Sequence, residues 1–216
     1  MDKRKTLLAI GITFILVGGV AAGYPLYLRV QGKLEQRRLE KEFQEYTVSP
    51  AIENTDLPGP EQLPDPEPDW PRWQEFPPTR LEIPALDLEI QVVVVEDMGV
   101  FARKLSQPPS YYPQSAFPGT QGNVLIAGHR GGPAGYFKNL NRLEPGDPII
   151  LHAPGVSYRY EVEKVWVVEP SEVSVIAPLD YPALTLTTCQ RVGKDPAARR
   201  LIVRARLTET GPGNGD

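Results

Sequence analysis

The chain has 216 residues and a net charge of −4, and its 23 basic residues form no long run, which argues against a nucleic-acid surface. A single cysteine excludes an intramolecular disulfide and makes that thiol either a packing residue or a reactive group. The 24 prolines exceed an average usage of about 5%, and the excess is concentrated in one segment.

In chain order, Asp2-Lys3-Arg4-Lys5 precedes an uncharged, apolar stretch from Thr6 to Leu28. As a helix this stretch would be roughly 34 Å long, enough to cross a bilayer core of about 30 Å. The basic residues before it favour a cytoplasmic N-terminal side and export of everything that follows. Residues 1–29 are therefore expected to form a basic tip and a single membrane span, with Tyr24, Tyr27 and Arg29 at the far interface. The small residues Val20-Ala21-Ala22-Gly23 also allow a cleavable signal peptide, and both readings place the rest outside the cytoplasm.

Residues 30–46 are charged and free of proline, with Val30, Leu34, Leu39, Phe43 and Tyr46 three to five apart, the spacing of a short helix with a weak apolar stripe. Its expected role is a stalk or a helix resting on the domain or the membrane. In residues 47–79, nine of 33 residues are Pro, and seven acidic residues face one basic residue. Such a segment cannot bury a core and reads as an extended linker of roughly 100 Å reach. Asp69-Trp70-Pro71-Arg72-Trp73 within it offers either a lid or a strap along the next domain.

From 80 to 208 short β-branched runs bounded by Pro and Gly predict strands near Leu81–Ile83, Ile90–Val95, Asn123–Ala127, Pro148–His152, Ser157–Val168, Ala183–Thr188 and Leu201–Leu207. Along the fifth, Tyr158, Tyr160, Val162, Trp166 and Val168 share one expected face. A helical turn is expected at Tyr136–Leu143, and a disordered tail over 209–216. Many short strands with few helices predict a mostly β fold, a closed antiparallel barrel.

Two histidines exist in the chain. His129 ends the run Asn123-Val124-Leu125-Ile126-Ala127 just after Gly128, so a rigid strand would hold it at the start of a loop. His152 precedes an Ala-Pro-Gly turn and reads as structural or merely exposed. Cys189 ends the run Leu184-Thr185-Leu186-Thr187-Thr188, and Arg199-Arg200 begin the last strand. A thiolate nucleophile, an imidazole that protonates a leaving amine, and a guanidinium for the oxyanion are the parts of a thiol acyl-transfer site. Spacing alone does not bring them together. Arg130, Arg191, Arg204 and Arg206 read as solvated charges. No metal-ligand spacing is evident and no cofactor is expected.

Thr185-Leu186-Thr187-Thr188-Cys189 resembles the TLxTC signature of the sortases. Gly119-Thr120, Gly122-Asn123 and Ile126-Ala127-Gly128-His129 are similar to their histidine segment, and Arg200-Leu201-Ile202-Val203 to their arginine strand. Leu81-Glu82-Ile83-Pro84, then Phe137, Leu140, Leu143, Gly146 and Asp147, extend the resemblance over residues 80 to 208. It implies a sortase-type barrel in which Cys189 attacks the Thr–Gly bond of an LPxTG-like sorting signal. His129 would serve as acid and base, and Arg200, rather than Arg199, would hold the oxyanion or the threonine. Thr188 and Ala127 would lie against the substrate.

Implied partners are surface proteins carrying such signals and an amine acceptor, either a peptidoglycan precursor or a pilin lysine. The implied setting is a single-pass membrane protein of a Gram-positive-type envelope. With no C-terminal apolar segment and no Asp-Pro-aromatic lid, the pattern leans to the single-anchor class D or E group. Two other readings compete. A papain-like wall hydrolase would place its cysteine before its histidine, the reverse of the order here. A non-enzymatic wall-binding barrel would leave the ordered motifs without a purpose.

Overall fold

A computed structural model describes residues 3–48, 79–95, 107–112, 115–132, 134–190 and 199–213. Segments 49–78 and 191–198 lie outside the described residues, and with them the Trp70 region and Arg191.

Helix α1, Lys3–Val48, runs unbroken through the apolar stretch and through the charged segment expected as a separate helix. Residues 11–27 are exposed along it, with Phe14, Ile15, Leu16, Val20 and Leu26 among the bare side chains. The helix is long and apolar enough to cross a membrane. Such a helix satisfies its backbone internally, as a bilayer demands.

Eight strands follow: β1 (Thr79–Ile83), β2 (Leu88–Val94), β3 (Ser110–Tyr111), β4 (Gly122–Ala127), β5 (Pro148–Ala153), β6 (Val156–Val168), β7 (Pro182–Gln190) and β8 (Arg199–Pro212). They close into a barrel in the order β1-β2-β3-β4-β7-β8-β6-β5. The expected barrel is present, but two seams depart from antiparallel pairing. β2 runs parallel to β3, and β4 parallel to β7. A parallel seam needs a long crossover, and residues 128–181 supply one between β4 and β7. β3 escaped the sequence reading because two residues carry no periodicity.

Alternation sorts each strand into two faces. Leu81, Ile90, Val124, Ile126, Leu151, Leu184, Leu186, Leu201 and Val203 fill the barrel interior together with Tyr111 and Tyr160. β6 breaks the single apolar face expected for it. Its pairing with β8 shifts between Arg159 and Tyr160 and again between Val162 and Lys164. Past the second bulge Val165, not Trp166, packs on the core. Trp166 instead receives the Lys164 ammonium at 5.1 Å and the Arg204 guanidinium at 5.8 Å. An inserted residue inverts the faces beyond it.

The expected disordered tail is likewise corrected in part. Glu209, Thr210, Gly211 and Pro212 pair with Arg159, Tyr158, Ser157 and Val156. The 13-residue β6 supplies backbone partners that a polar strand can use as well as an apolar one. Between β4 and β5, a 3-10 turn at Tyr136–Arg142 buries Phe137 and Leu140, with Leu143 just beyond it, at the site of the expected helical turn.

Candidate active site

Three adjacent strands end or begin at one rim of the barrel. β4 pairs in parallel with β7, with Ala127 opposite Thr187, and the ladder continues as the Gly128 amide donates to the Thr187 carbonyl at 3.0 Å. His129 follows directly, past the end of β4, where its carbonyl accepts from the Phe137 amide at 3.1 Å. On the other side β8 runs antiparallel, with Arg200 directly opposite Cys189. Residues 11 apart in sequence thus share one row across β7 and β8, and the end of β4 lies beside them.

The parity of these strands also fixes the face. The even-numbered Val124, Ile126, Leu184 and Leu186 and the odd-numbered Leu201 and Val203 point inward. Cys189 and Arg200 therefore belong to the outer face, above a floor of Ala127, Thr187 and Ile202. Cys189 is exposed, and His129 and Arg200 are partly so. Arg200 Nη1 donates to Cys189 Sγ at 3.6 Å. A guanidinium there stabilises a thiolate and keeps its charge at any working pH. Arg199, on the opposite face, instead pairs through Nε with Glu169 at 2.8 Å.

Tyr112, just beyond β3, completes the rim. Its amide donates to the Leu125 carbonyl at 2.9 Å, which ties it to β4. Burial raises its phenol above the ordinary value, the Arg200 charge opposes that rise, and Cys189 adds to it. The phenol thus stays neutral beside the thiol and the guanidinium. Sequence reasoning missed this residue, because nothing in the run around Tyr112 marks it without the β3–β4 pairing.

The far end of the same outer face is closed. Asn123 Nδ2 donates to the Val175 and Ala177 carbonyls at 3.0 and 3.2 Å. Thr185 Oγ1 donates to Asn123 Oδ1 at 2.6 Å and accepts from Arg204 Nε at 2.7 Å. Arg204 Nη2 reaches the Val175 carbonyl at 2.9 Å. This network pins the connection between β6 and β7, including a 3-10 turn at Val173–Ile176, over the strands. It covers the outward-facing Asn123 and Thr185, which are buried. Arg204, expected to be a solvated charge, is 9% exposed and holds the groove's end wall.

The remaining expected residues separate. Ala127 lies on the outer face opposite Thr187, 7% exposed. Thr188 falls on the inner face, away from Cys189, and its hydroxyl donates to the Gly128 carbonyl at 2.7 Å. It steadies the residue before His129 rather than facing the groove. Gly128 has no room for a side chain, since a Cβ would meet the Phe137 ring at 2.4 Å. His152 is buried, with Nε2 on Glu82 Oε2 at 2.9 Å, on the opposite wall. Arg130, also expected to be solvated, bonds Gln190 through Nη1 and Asn141 Oδ1 through Nη2, the latter at 3.1 Å.

The Sortase domain family model matches residues 81–208. Sortase SrtE1 of Streptomyces coelicolor is 33% identical over 100 residues, which is 42% of this chain and 28% of that protein. Sortase D of Bacillus subtilis is 30% identical over 132 residues, covering 59% of this chain and 63% of that protein. The matched region thus spans less than two thirds of either relative. Among solved structures, a Sortase D5 transpeptidase of Clostridium perfringens superposes with a TM-score of 0.60 over 81% of this chain and 98% of that one, at 21% identity, a likeness of fold.

Proposed function

The chain belongs to the sortase family, and on that premise we propose that it is a membrane-anchored cysteine transpeptidase acting on LPxTG-like sorting signals outside the cell. In the first step Cys189 Sγ attacks the carbonyl carbon of the signal's threonine. The carbon–sulfur bond forms, the Thr–Gly amide bond breaks, and His129 gives the departing glycine amine its proton. In the second step an amine attacks the thioester carbonyl, His129 takes the proton, and the sulfur leaves. Arg200 holds the oxyanion in both steps or orients the threonine.

The single observation that carries this reading is Arg200 directly opposite Cys189, with its Nη1 at 3.6 Å from the sulfur, beside the end of β4 that leads into His129. Ala127 forms the floor under the signal, and Thr188 aligns the histidine from behind. Similarity to Sortase SrtE1 and to Sortase D supports the single-anchor class D or E group over a pilin-polymerising sortase. The acceptor is then an amine of a peptidoglycan precursor, with a pilin lysine as the alternative. The setting is a Gram-positive-type envelope, with α1 as the single span.

The test is incubation of the full chain in detergent with quenched LPxTG and LAxTG peptides, with and without an added amine, beside Cys189→Ala. Cleavage between Thr and Gly, lost in Cys189→Ala and diverted from acid to amide by the amine, is the expected result. Cleavage that survives Cys189→Ala, or an acid product at every amine concentration, would overturn transpeptidation.

A further inference from the structure

The barrel wall opposite the groove has an occupant. Across β2, β1 and β5, Gln91, Arg80 and His152 form one row, since Arg80 pairs with both of the others. All three face outward, their neighbours Leu81, Ile90 and Leu151 being in the core. Yet Gln91 is 2% and His152 6% exposed. The second half of α1 contributes to this cover. Gln36 Oε1 accepts from the Gln91 amide at 2.9 Å, a backbone donor that β3 does not reach because its pairing with β2 covers Val93 and Val94 alone. Glu40 takes the Gln91 side chain. Phe43 lies under the Arg80 guanidinium at 5.7 Å, and Leu39 and Phe43 are buried.

The strand order makes the consequence geometric. In an eight-stranded ring, β1 stands opposite β7. The helix therefore seats on the wall that faces away from Cys189. From Leu28, the last residue of the uncharged stretch, to Gln36 is eight residues of one unbroken helix, about 12 Å.

We infer that the second half of α1 is a docking helix that clamps the barrel's back wall, holds it within about two helical turns of the membrane, and leaves the catalytic groove on the side facing away. This rests on the proposed reading of α1 as an anchor. α1 and β1, the described elements on either side of segment 49–78, then belong to one body.

The experiment places spin labels at Lys41→Cys on α1 and Glu161→Cys on β6, both exposed positions, in full-chain Cys189→Ala protein embedded in lipid nanodiscs. Pulsed electron–electron resonance is expected to give one narrow distance peak, and Leu39→Asp with Phe43→Asp to broaden it by severalfold. A broad distribution in the chain without those two changes, or an unchanged narrow peak after them, would overturn docking. Leu39→Ala, a milder change, serves if the double variant does not keep a cooperative thermal melt, and is expected to broaden the peak in part. In the active chain with Cys189 intact, Leu39→Asp with Phe43→Asp is expected to cleave soluble peptide within twofold of the unaltered rate. Loss of peptide cleavage in every variant beside a narrow peak would sink the proposed function and leave docking standing. A chain recovered in the soluble fraction would sink the anchor.

Discussion

Arg199 and Arg200 are neighbours in sequence and face opposite ways, one to Glu169 and the other to the Cys189 sulfur. Arg200→Lys keeps the charge and loses the planar fork, so kcat should fall roughly 100-fold or more. Arg199→Ala should leave kcat within about twofold, since an ion pair this exposed contributes little. Equal losses in both variants, measured with one peptide, would reject the assignment. Thr188 gives a second contrast. Thr188→Val removes the hydroxyl bond to the Gly128 carbonyl while keeping the shape, at a cost of about 1 kcal/mol in stability. Because Gly128 precedes His129, kcat should drop while KM holds, and Thr188→Ser should restore it. An unchanged kcat in Thr188→Val would show that the bond serves folding alone. These contrasts also mark what could be read from the chain. A lone cysteine and a histidine at strand ends are visible by type, and the family motif ordered them. The choice between two adjacent arginines turns on parity, which one step of register inverts. Thr188 looked like a groove residue because the motif gives proximity along the chain and not the face.

At the scale of elements, the connection between β6 and β7 is held by polar bonds that hydrophobic patterning does not reveal. Arg204 read as a solvated charge, yet it bonds Thr185 and the Val175 carbonyl while nearly buried. Thr185 in turn bonds Asn123, so a threonine of the signature run serves the end wall of the groove. Arg204→Met keeps much of the stem and removes both donors. It should lower stability by roughly 2–3 kcal/mol, because bonds to a charged donor exceed neutral ones and two acceptors are left buried. Urea unfolding measures this directly, and peptide KM should rise several-fold as the wall loosens. A stable variant with unaltered KM would mean that Asn123 alone holds the segment. Strands with six or more residues were legible from apolar runs. β3 was not, and neither was the continuity of α1, because its apolar stretch and its charged segment carry different residue patterns.

For the whole molecule, closure of the barrel buries two phenols that an open sheet would leave wet. Burial raises Tyr111 well above the ordinary tyrosine value, more than its bond to Thr79 lowers it. Tyr160 is driven up in the same way, against the opposing bond from the Gly119 amide at 3.1 Å. Above pH of about 10 the unfolded chain releases these protons while the folded barrel keeps them. The native state then binds more protons than the unfolded state, so stability must fall as pH rises. The stabilising contribution is complete below the unfolded value and is lost as pH climbs from there toward the folded one. Each phenol gives a slope of about 1.4 kcal/mol per pH unit, so the pair gives roughly 2.7. Urea midpoints should therefore be level from about pH 8 to 9.5 and decline steeply beyond 10. Other groups titrate in that range, and Tyr160→Phe isolates the effect: its own phenol share of the slope should vanish while the Tyr111 share stays. The phenolate absorbance of the two buried rings should appear only with unfolding. Were it to rise together with that of the exposed tyrosines while the barrel remained folded, the interior would be open to solvent. The barrel would then no longer be the rigid frame that holds Arg200 against Cys189 beside the strand leading into His129.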